Sequence, residues 1–379
     1  MLRVLHVIGA MDRGGAETMV MNLYRAVDRT QVQFDFLVHE TRECDYDQEI
    51  ERLGGRIFRL PRFTGANLAR YKSLCRAFFS DHQEIAIVHG HIGSSAAIYL
   101  SEAKRAGKVA IAHSHAQNFL PGPAGWAFRA VSYPTRYIAD YFIGCSFEAG
   151  ADRFGGRVVE GDRFMILNNG IDLSRYRCDE QAHQEAKRLL GVEGRPVFGH
   201  VGRLAEEKNH RFLFEAFSRV LQQLPDAVLL LAGRGPLEQE LKEYADSLGI
   251  APAVRFLGVC DDVPFLLRAM DVFVFPSTKE GLPVASIEAQ ASGLPCILST
   301  GVPSHASASQ LCERVPLDDG AERWAEKMAE LYRSSQCADR SDRVDEVRAC
   351  GFDIVDSARV LISVYRDLLL QRGQINGVF

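Results

Sequence analysis

No stretch of this chain reaches the roughly 18 consecutive apolar residues of a membrane-spanning helix, so no such span is expected. A basic surplus is also missing. The formal net charge is −5, which argues against a nucleic-acid partner. The nine cysteines are odd in number, scattered and without a C-x-x-C pair, which argues against a disulfide framework or zinc knuckle and fits a reducing cytosol. Low-complexity segments are absent. The apolar run Val4 to Met11 is broken by His6 and ends in Asp12-Arg13, so it reads as a buried strand rather than a signal peptide. What is present is an ordinary globular balance, 47% hydrophobic and 25% charged over 379 residues, enough for two domains that each bury a core.

Short β-branched runs alternate with amphipathic stretches. Val4–Ile8 leads through Asp12-Arg13-Gly14-Gly15 into a helical face of Ala16, Met19, Val20, Leu23 and Tyr24. Further strands are expected at 32–38, 56–60, 85–88, 109–112, 141–145 and 164–167, with helices at 47–53, 68–79 and 94–103. A second series starts near residue 195, with strands at 196–201, 228–232, 254–257, 272–275 and 295–298 and helices between them. This alternation predicts parallel sheets covered on both faces. The polar stretch 174–194 marks the expected boundary, and 352–370 has helical periodicity. The expected division is 1–175, 176–350 and a closing helical segment in 351–379. Doubly wound domains take ligands at the carboxyl ends of their strands, so two of them facing across a cleft suggest two substrates.

Two segments carry chemistry. Glu280-Gly281-Leu282-Pro283-Val-Ala-Ser-Ile-Glu288 places a second glutamate inside a helix that opens at Pro283, where a missing N–H costs nothing. Helix N-termini bind anions, and carboxylates accept strong hydrogen bonds from sugar hydroxyls. On spacing alone, a surface turn before an ordinary helix explains the segment equally well. The loop Gly199-His-Val-Gly202-Arg203-Leu-Ala-Glu-Glu-Lys208-Asn209 follows a strand and carries two cations five apart, suited to the charge on a departing diphosphate. Alone, it would read as a solvated basic loop.

Taken with Gly14-Gly15-Ala16-Glu17, His89-Gly90-His91, His113-Ser114-His115, Asn169-Gly170-Ile171-Asp172, Gly233-Arg234-Gly235-Pro236 and the Gly293-Leu294-Pro295 that follows Glu288, these segments give the chain a resemblance. It resembles the retaining GT-B glycosyltransferases of family 4 (glycosyl transferases group 1), above all their capsular and exopolysaccharide branch. The match keeps the family's order and covers residues 1 to about 300. It implies an α/β GT-B fold of two Rossmann-like domains, with acceptor in the first, donor in the second, and a final helix crossing back. Glu288 would hold the ribose, Glu280 the donor sugar, and Arg203 and Lys208 the pyrophosphate. Gly14 and Gly15 would form a loop whose backbone approaches phosphate or acceptor, and His115 would lie near the reacting sugar. Gly233, Gly281, Leu282 and Pro283 would line the donor pocket, and the backbone around Gly258 would meet the base. The resemblance further implies retention of configuration by front-face attack, no enzyme nucleophile, no metal and no cofactor beyond the nucleotide-sugar co-substrate, a UDP-sugar. The implied acceptor is a glycan or a lipid-linked glycan. Lys279, before the first glutamate, and Gln290, where relatives carry Met, depart from the common pattern.

Other features compete. His89/His91 and His113/His115 are His-x-His pairs at strand ends, where residues i and i+2 share a face and could chelate a metal. A metal-dependent hydrolase is therefore one rival, with His200 and His305 as further candidate ligands. A nucleotide-sugar epimerase of similar fold is a second, and a non-catalytic sensor a third, against which the intact Arg203, Lys208, Glu280 and Glu288 argue. Asp45-Tyr46-Asp47 has metal-chelating spacing but opens a predicted helix, where capping explains it more simply. Phe119, Trp126, Phe128, Tyr133, Tyr137, Tyr141 and Phe142 interleave with Arg129 and Arg136, which suits peripheral contact with the anionic inner membrane surface of a cytoplasmic protein. An ordinary core helix with a solvated side is the simpler alternative.

Overall fold

A computed structural model describes residues 1–115, 122–337 and 339–374, except the side chains of residues 123 and 124. The chain forms two compact units, Met1–Gly170 with Ile354–Phe379, and Ile171–Asp353.

Unit 1 is built on a parallel seven-stranded sheet. Its strands are β1 (Leu2–Val7), β2 (Val32–Val38), β3 (Ile57–Arg59), β4 (Ile85–Gly90), β5 (Val109–Ser114), β6 (Tyr141–Gly144) and β7 (Phe164–Ile166), in spatial order β3-β2-β1-β4-β5-β6-β7. The order reverses direction at β1/β4, the doubly wound switch point. Val4, Phe34 and Phe36 point into a core shared with Met19, Val20 and Tyr24 of the helix Gly15–Ala26. The chain returns to this core after Asp353. The helix Ile354–Gln371 contributes Ala358, Leu361, Tyr365 and Leu369. Spaced at three and four residues, these form one apolar helical stripe.

Unit 2 carries a parallel six-stranded sheet of β8 (Val197–Val201), β9 (Val228–Ala232), β10 (Val254–Gly258), β11 (Val272–Phe275), β12 (Cys296–Ser299) and β13 (Cys312–Val315), in order β10-β9-β8-β11-β12-β13. The edge strand β13 has no sequence signature: Cys-Glu-Arg-Val is neither apolar nor alternating, and among the described residues it pairs only with β12. The polar stretch 174–194 folds as part of this unit. It contains the helix Glu180–Leu189, which buries Ala186, His183 and Lys187. Lys187 Nζ meets Asp271 Oδ2 at 2.9 Å, and His183 Nε2 meets Asp271 Oδ1 at 3.3 Å. A helix that buries an ion pair looks polar in sequence, which is why this one resembles a linker.

Candidate active site

In unit 2 the loops after β8, β9, β10 and β11 converge at the carboxyl edge of the sheet. Backbone bonds tie them together: Gly202 N donates to Ala232 O at 2.9 Å, Leu204 N to Arg234 O at 3.1 Å, and Gly233 N to Gly258 O at 2.7 Å. Gly233 has φ +137, and a Cβ there would lie 1.9 Å from Gly202 O, so only glycine allows this approach. Asn209, with φ 56, is the one non-glycine residue with positive φ among the described residues. It reverses the backbone between the short turn Glu206–Lys208 and the helix His210–Gln223.

That reversal presents Lys208. Its Nζ lies 2.5 Å from Glu280 Oε1 and 5.0 Å from the centre of the Phe275 ring, with both charged side chains largely withdrawn from solvent. Thr278 N donates to Glu207 O at 2.9 Å, which anchors the glutamate loop to the cation loop, and Glu280 N donates to Gly301 O at 3.2 Å, which anchors it to the turn after β12. Arg203 is arranged differently. It is exposed and held by Glu207 at 2.7 Å. Arg203 and Lys208 thus share a loop but not a partner.

Glu288 lies in the helix Val284–Ala291, for which Pro283 is the N-cap residue. Its Oε1 accepts a 2.5 Å hydrogen bond from Tyr176. Burial raises the Glu288 carboxyl pKa, and the Tyr176 bond partly offsets this. In the loop before this helix Leu282 is half-buried, and Gly281 is exposed, with open space where a Cβ would stand. Sequence reasoning missed Tyr176 and Glu207. The i,i+4 spacing from Arg203 could have found Glu207, but nothing local signals that Tyr176 meets a residue more than a hundred positions away.

In unit 1, Gly14 caps the helix Gly15–Ala26, and a Cβ there would meet the folded-back Glu17 carboxylate at 2.2 Å. Gly15 faces open space. His115 follows β5. Its Nε2 lies 2.7 Å from His91 Nδ1, and burial, reinforced by the Arg153 charge, lowers its pKa to about 3, which keeps the ring neutral. Asp45 Oδ2 accepts from Arg13 N at 3.1 Å, and Asp47 accepts from Cys44 N at 2.9 Å and pairs with Arg59. The D-x-D carboxylates are therefore committed to local structure. His200 and His305 belong to unit 2 and the His-x-His pairs to unit 1. In the aromatic stretch, Trp126 and Tyr137 are each 74% exposed, so this is not a wholly buried core segment. Phe119 lies outside the described residues.

Two parallel doubly wound units with a cation–carboxylate site on the second define a GT-B architecture. The model for Glycosyltransferase Family 4 matches residues 13–175, and that for Glycosyl transferases group 1 matches residues 195–334. The putative glycosyltransferase EpsF of Bacillus subtilis is 37% identical over 371 residues, 96% of each chain. The UDP-Gal:alpha-D-GlcNAc-diphosphoundecaprenol alpha-1,3-galactosyltransferase of Escherichia coli is 35% identical over 145 residues, 37% of this chain and 38% of its own. Among solved structures, Anabaena HepE in complex with UDP superposes with a TM-score of 0.80 at 18% identity, over 97% of this chain and 100% of that one. The chain belongs to the group 1, family 4 glycosyltransferases of exopolysaccharide type. It is a glycosyltransferase of polysaccharide biosynthesis.

Proposed function

We propose that the protein transfers a sugar from a UDP-sugar to a glycan or lipid-linked glycan acceptor, with retention of configuration. The observation that carries this reading is the Lys208–Glu280 pair at 2.5 Å at the carboxyl edge of the unit 2 sheet. Lys208 is a cation already desolvated, and it neutralises the β-phosphate as the glycosidic C–O bond breaks. Arg203, on an exposed loop, leaves Glu207 to add a bidentate grip on the diphosphate. Glu280 orients the donor sugar and Glu288 accepts bonds from the ribose hydroxyls. Gly233, Gly258, Gly281, Leu282 and Pro283 shape the walls. UDP as the nucleotide is supported by HepE, solved with UDP-glucose, and by the galactosyltransferase relative that uses UDP-Gal.

With two cations assigned to the leaving group, no metal or cofactor is required for transfer. Front-face attack passes the acceptor proton to the departing phosphate. Unit 1 takes the acceptor, with Gly14 and Gly15 supplying close backbone and the neutral His115 a hydrogen bond to a sugar hydroxyl. The exposed Trp126, Tyr133 and Tyr137, with Arg129 and with Arg136 stacked 3.9 Å from the Tyr133 ring, support peripheral contact with an anionic cytoplasmic membrane face.

The test is calorimetry with a panel of UDP- and GDP-sugars, followed by NMR of the anomeric proton in the product. A UDP-sugar should bind, Lys208→Ala should lower turnover by about 10²–10³ with far less effect on the melting temperature, and the product should keep the donor's anomeric configuration. An inverted product, or full turnover by Lys208→Ala, would refute the mechanism.

A further inference from the structure

Five histidines converge at the carboxyl edge of β1, β4 and β5 in unit 1, and transfer chemistry uses at most one of them. His6, His89 and His113 are essentially inaccessible, His91 is 8% exposed, and His115 is half-buried. Two chains of ring-to-ring hydrogen bonds connect them. In one, His115 Nε2 meets His91 Nδ1 at 2.7 Å, and His91 Nε2 meets His6 Nδ1 at 2.9 Å. In the other, His113 Nδ1 meets His89 Nε2 at 3.1 Å, and His89 Nδ1 meets Tyr365 Oη at 2.7 Å. Three nitrogens, His6 Nε2, His113 Nε2 and His115 Nδ1, are buried without a hydrogen-bond partner among the described residues. One candidate nitrogen from each of His91, His113 and His115 lies within 4.8 Å of the others.

We propose that His91, His113 and His115 bind a divalent transition-metal ion of the zinc class, with His6 and His89 as positioning residues behind them. Three imidazoles and no carboxylate form a donor set for zinc, copper or nickel and not for magnesium or calcium. Burial keeps these rings neutral, which is the ligating form. Zn–N bonds of about 2.0–2.1 Å at tetrahedral angles place ligand nitrogens roughly 3.4 Å apart, so His91 and His115 need to part by less than about 1 Å.

The protons balance without any being released. When the ion takes His115 Nε2 and His91 Nδ1, the N–H of His115 sits on Nδ1 and that of His91 on Nε2. His91 then donates to His6 Nδ1, and the N–H of His6 occupies its Nε2. Each of the three rings keeps one proton. His113 is likewise held through His89 to Tyr365. A hydrogen-bond acceptor behind a ligand ring is what fixes tautomer and orientation at metal sites, and here a second imidazole nitrogen fills that place. Half-exposed His115 gives the route of entry, and since its Nδ1 is buried, ligation of the ion and the sugar contact of the transfer reading are alternatives at His115. Arg153, whose Nη1 lies 3.5 Å from His113 O, opposes the ion's charge and sets a limit on affinity.

The test uses the full chain in a Cys337→Ser/Cys350→Ser background, which removes the two exposed thiols, stripped with a chelator. Zn²⁺ is titrated by calorimetry and Co²⁺ by visible absorption. One equivalent should bind, with the intense d–d bands of a tetrahedral cobalt site. His115→Gln and His91→Gln should each weaken binding by more than about 10-fold, and His6→Phe by roughly 10–100-fold. Arg153→Met should tighten it. His115→Gln alters a half-buried position and keeps the test valid if the His91 variant fails to fold. No zinc binding, or binding unchanged in His115→Gln and His91→Gln, overturns the proposal, and UDP-sugar binding measured on the same samples reports the transfer reading separately.

Discussion

Acidification of the metal-free protein should act on unit 1 before unit 2. Burial is the largest cause lowering the pKa of His6, His89, His91, His113 and His115, with repulsion from neighbouring rings or from Arg153 adding to it. In the unfolded chain each titrates near 6.5. A depressed folded pKa gives stability that is present above about 6.5 and lost as pH falls toward the folded value, because the unfolded state then binds more protons. One unit below 6.5, each neutral buried ring costs about 1.4 kcal/mol, so five cost roughly 7 kcal/mol. That rivals the whole stability of an ordinary domain, about 5–15 kcal/mol. At about 2–4 °C per kcal/mol for a domain of this size, the unit 1 transition should fall by roughly 15–30 °C between pH 7.5 and 5.5.

Unit 2 has two strongly depressed rings, His200 and His210, the latter at about 4, and should lose about half as much. Calorimetry at the two pH values reads both transitions. The fluorescence of Trp324, fully buried in the unit 2 core, assigns the second. His6→Phe should flatten the unit 1 pH slope by about a fifth. A unit 1 transition that moves less than that of unit 2 would refute the claim that the cluster is held neutral.

Removal of a single leaving-group cation should cost turnover more than stability. Lys208→Ala is expected to lower kcat by about 10²–10³, measured with the best UDP-sugar. Glu288→Ala should weaken UDP affinity by calorimetry, and Tyr176→Phe, which removes the 2.5 Å bond while keeping the ring, should do so by a smaller factor. Gly233→Ala should prevent the β8 and β9 loops from meeting and abolish nucleotide binding, read by thermal shift. Lys187→Ala leaves Asp271 buried without its cation and should destabilise unit 2 by about 3–5 kcal/mol in denaturant titration. Transfer activity should survive EDTA, and its complete loss would contradict a metal-independent leaving group.

Strand positions were legible because a short, largely apolar run bounded by polar or turn-forming residues needs no distant partner to be recognised. β2, β9 and β11 lie where periodicity puts them. β13 was not legible, because it is defined by its pairing to β12. The helix Glu180–Leu189 was hidden by the charges it buries. At the site, the Glu280-to-Glu288 segment and the Arg203–Lys208 loop could be read as local strings. Their partnership could not: Lys208 and Glu280 are 72 residues apart, and Tyr176 and Glu288 are 112 apart.

The sequence by itself determined two doubly wound α/β units, the family, and the glycines and charges of the donor loops. All of these depend on backbone conformation or short-range spacing, which a string of residues encodes directly. Only the tertiary structure decided which histidines meet. His6 is far in sequence from either His-x-His pair, and Tyr365 lies 276 residues beyond His89. The physical reason is the topology of the sheet. Strand order places β1 beside β4 and β4 beside β5, and the returning helix Ile354–Gln371 brings Tyr365 to His89, so histidines with no common spacing come to share one buried cluster.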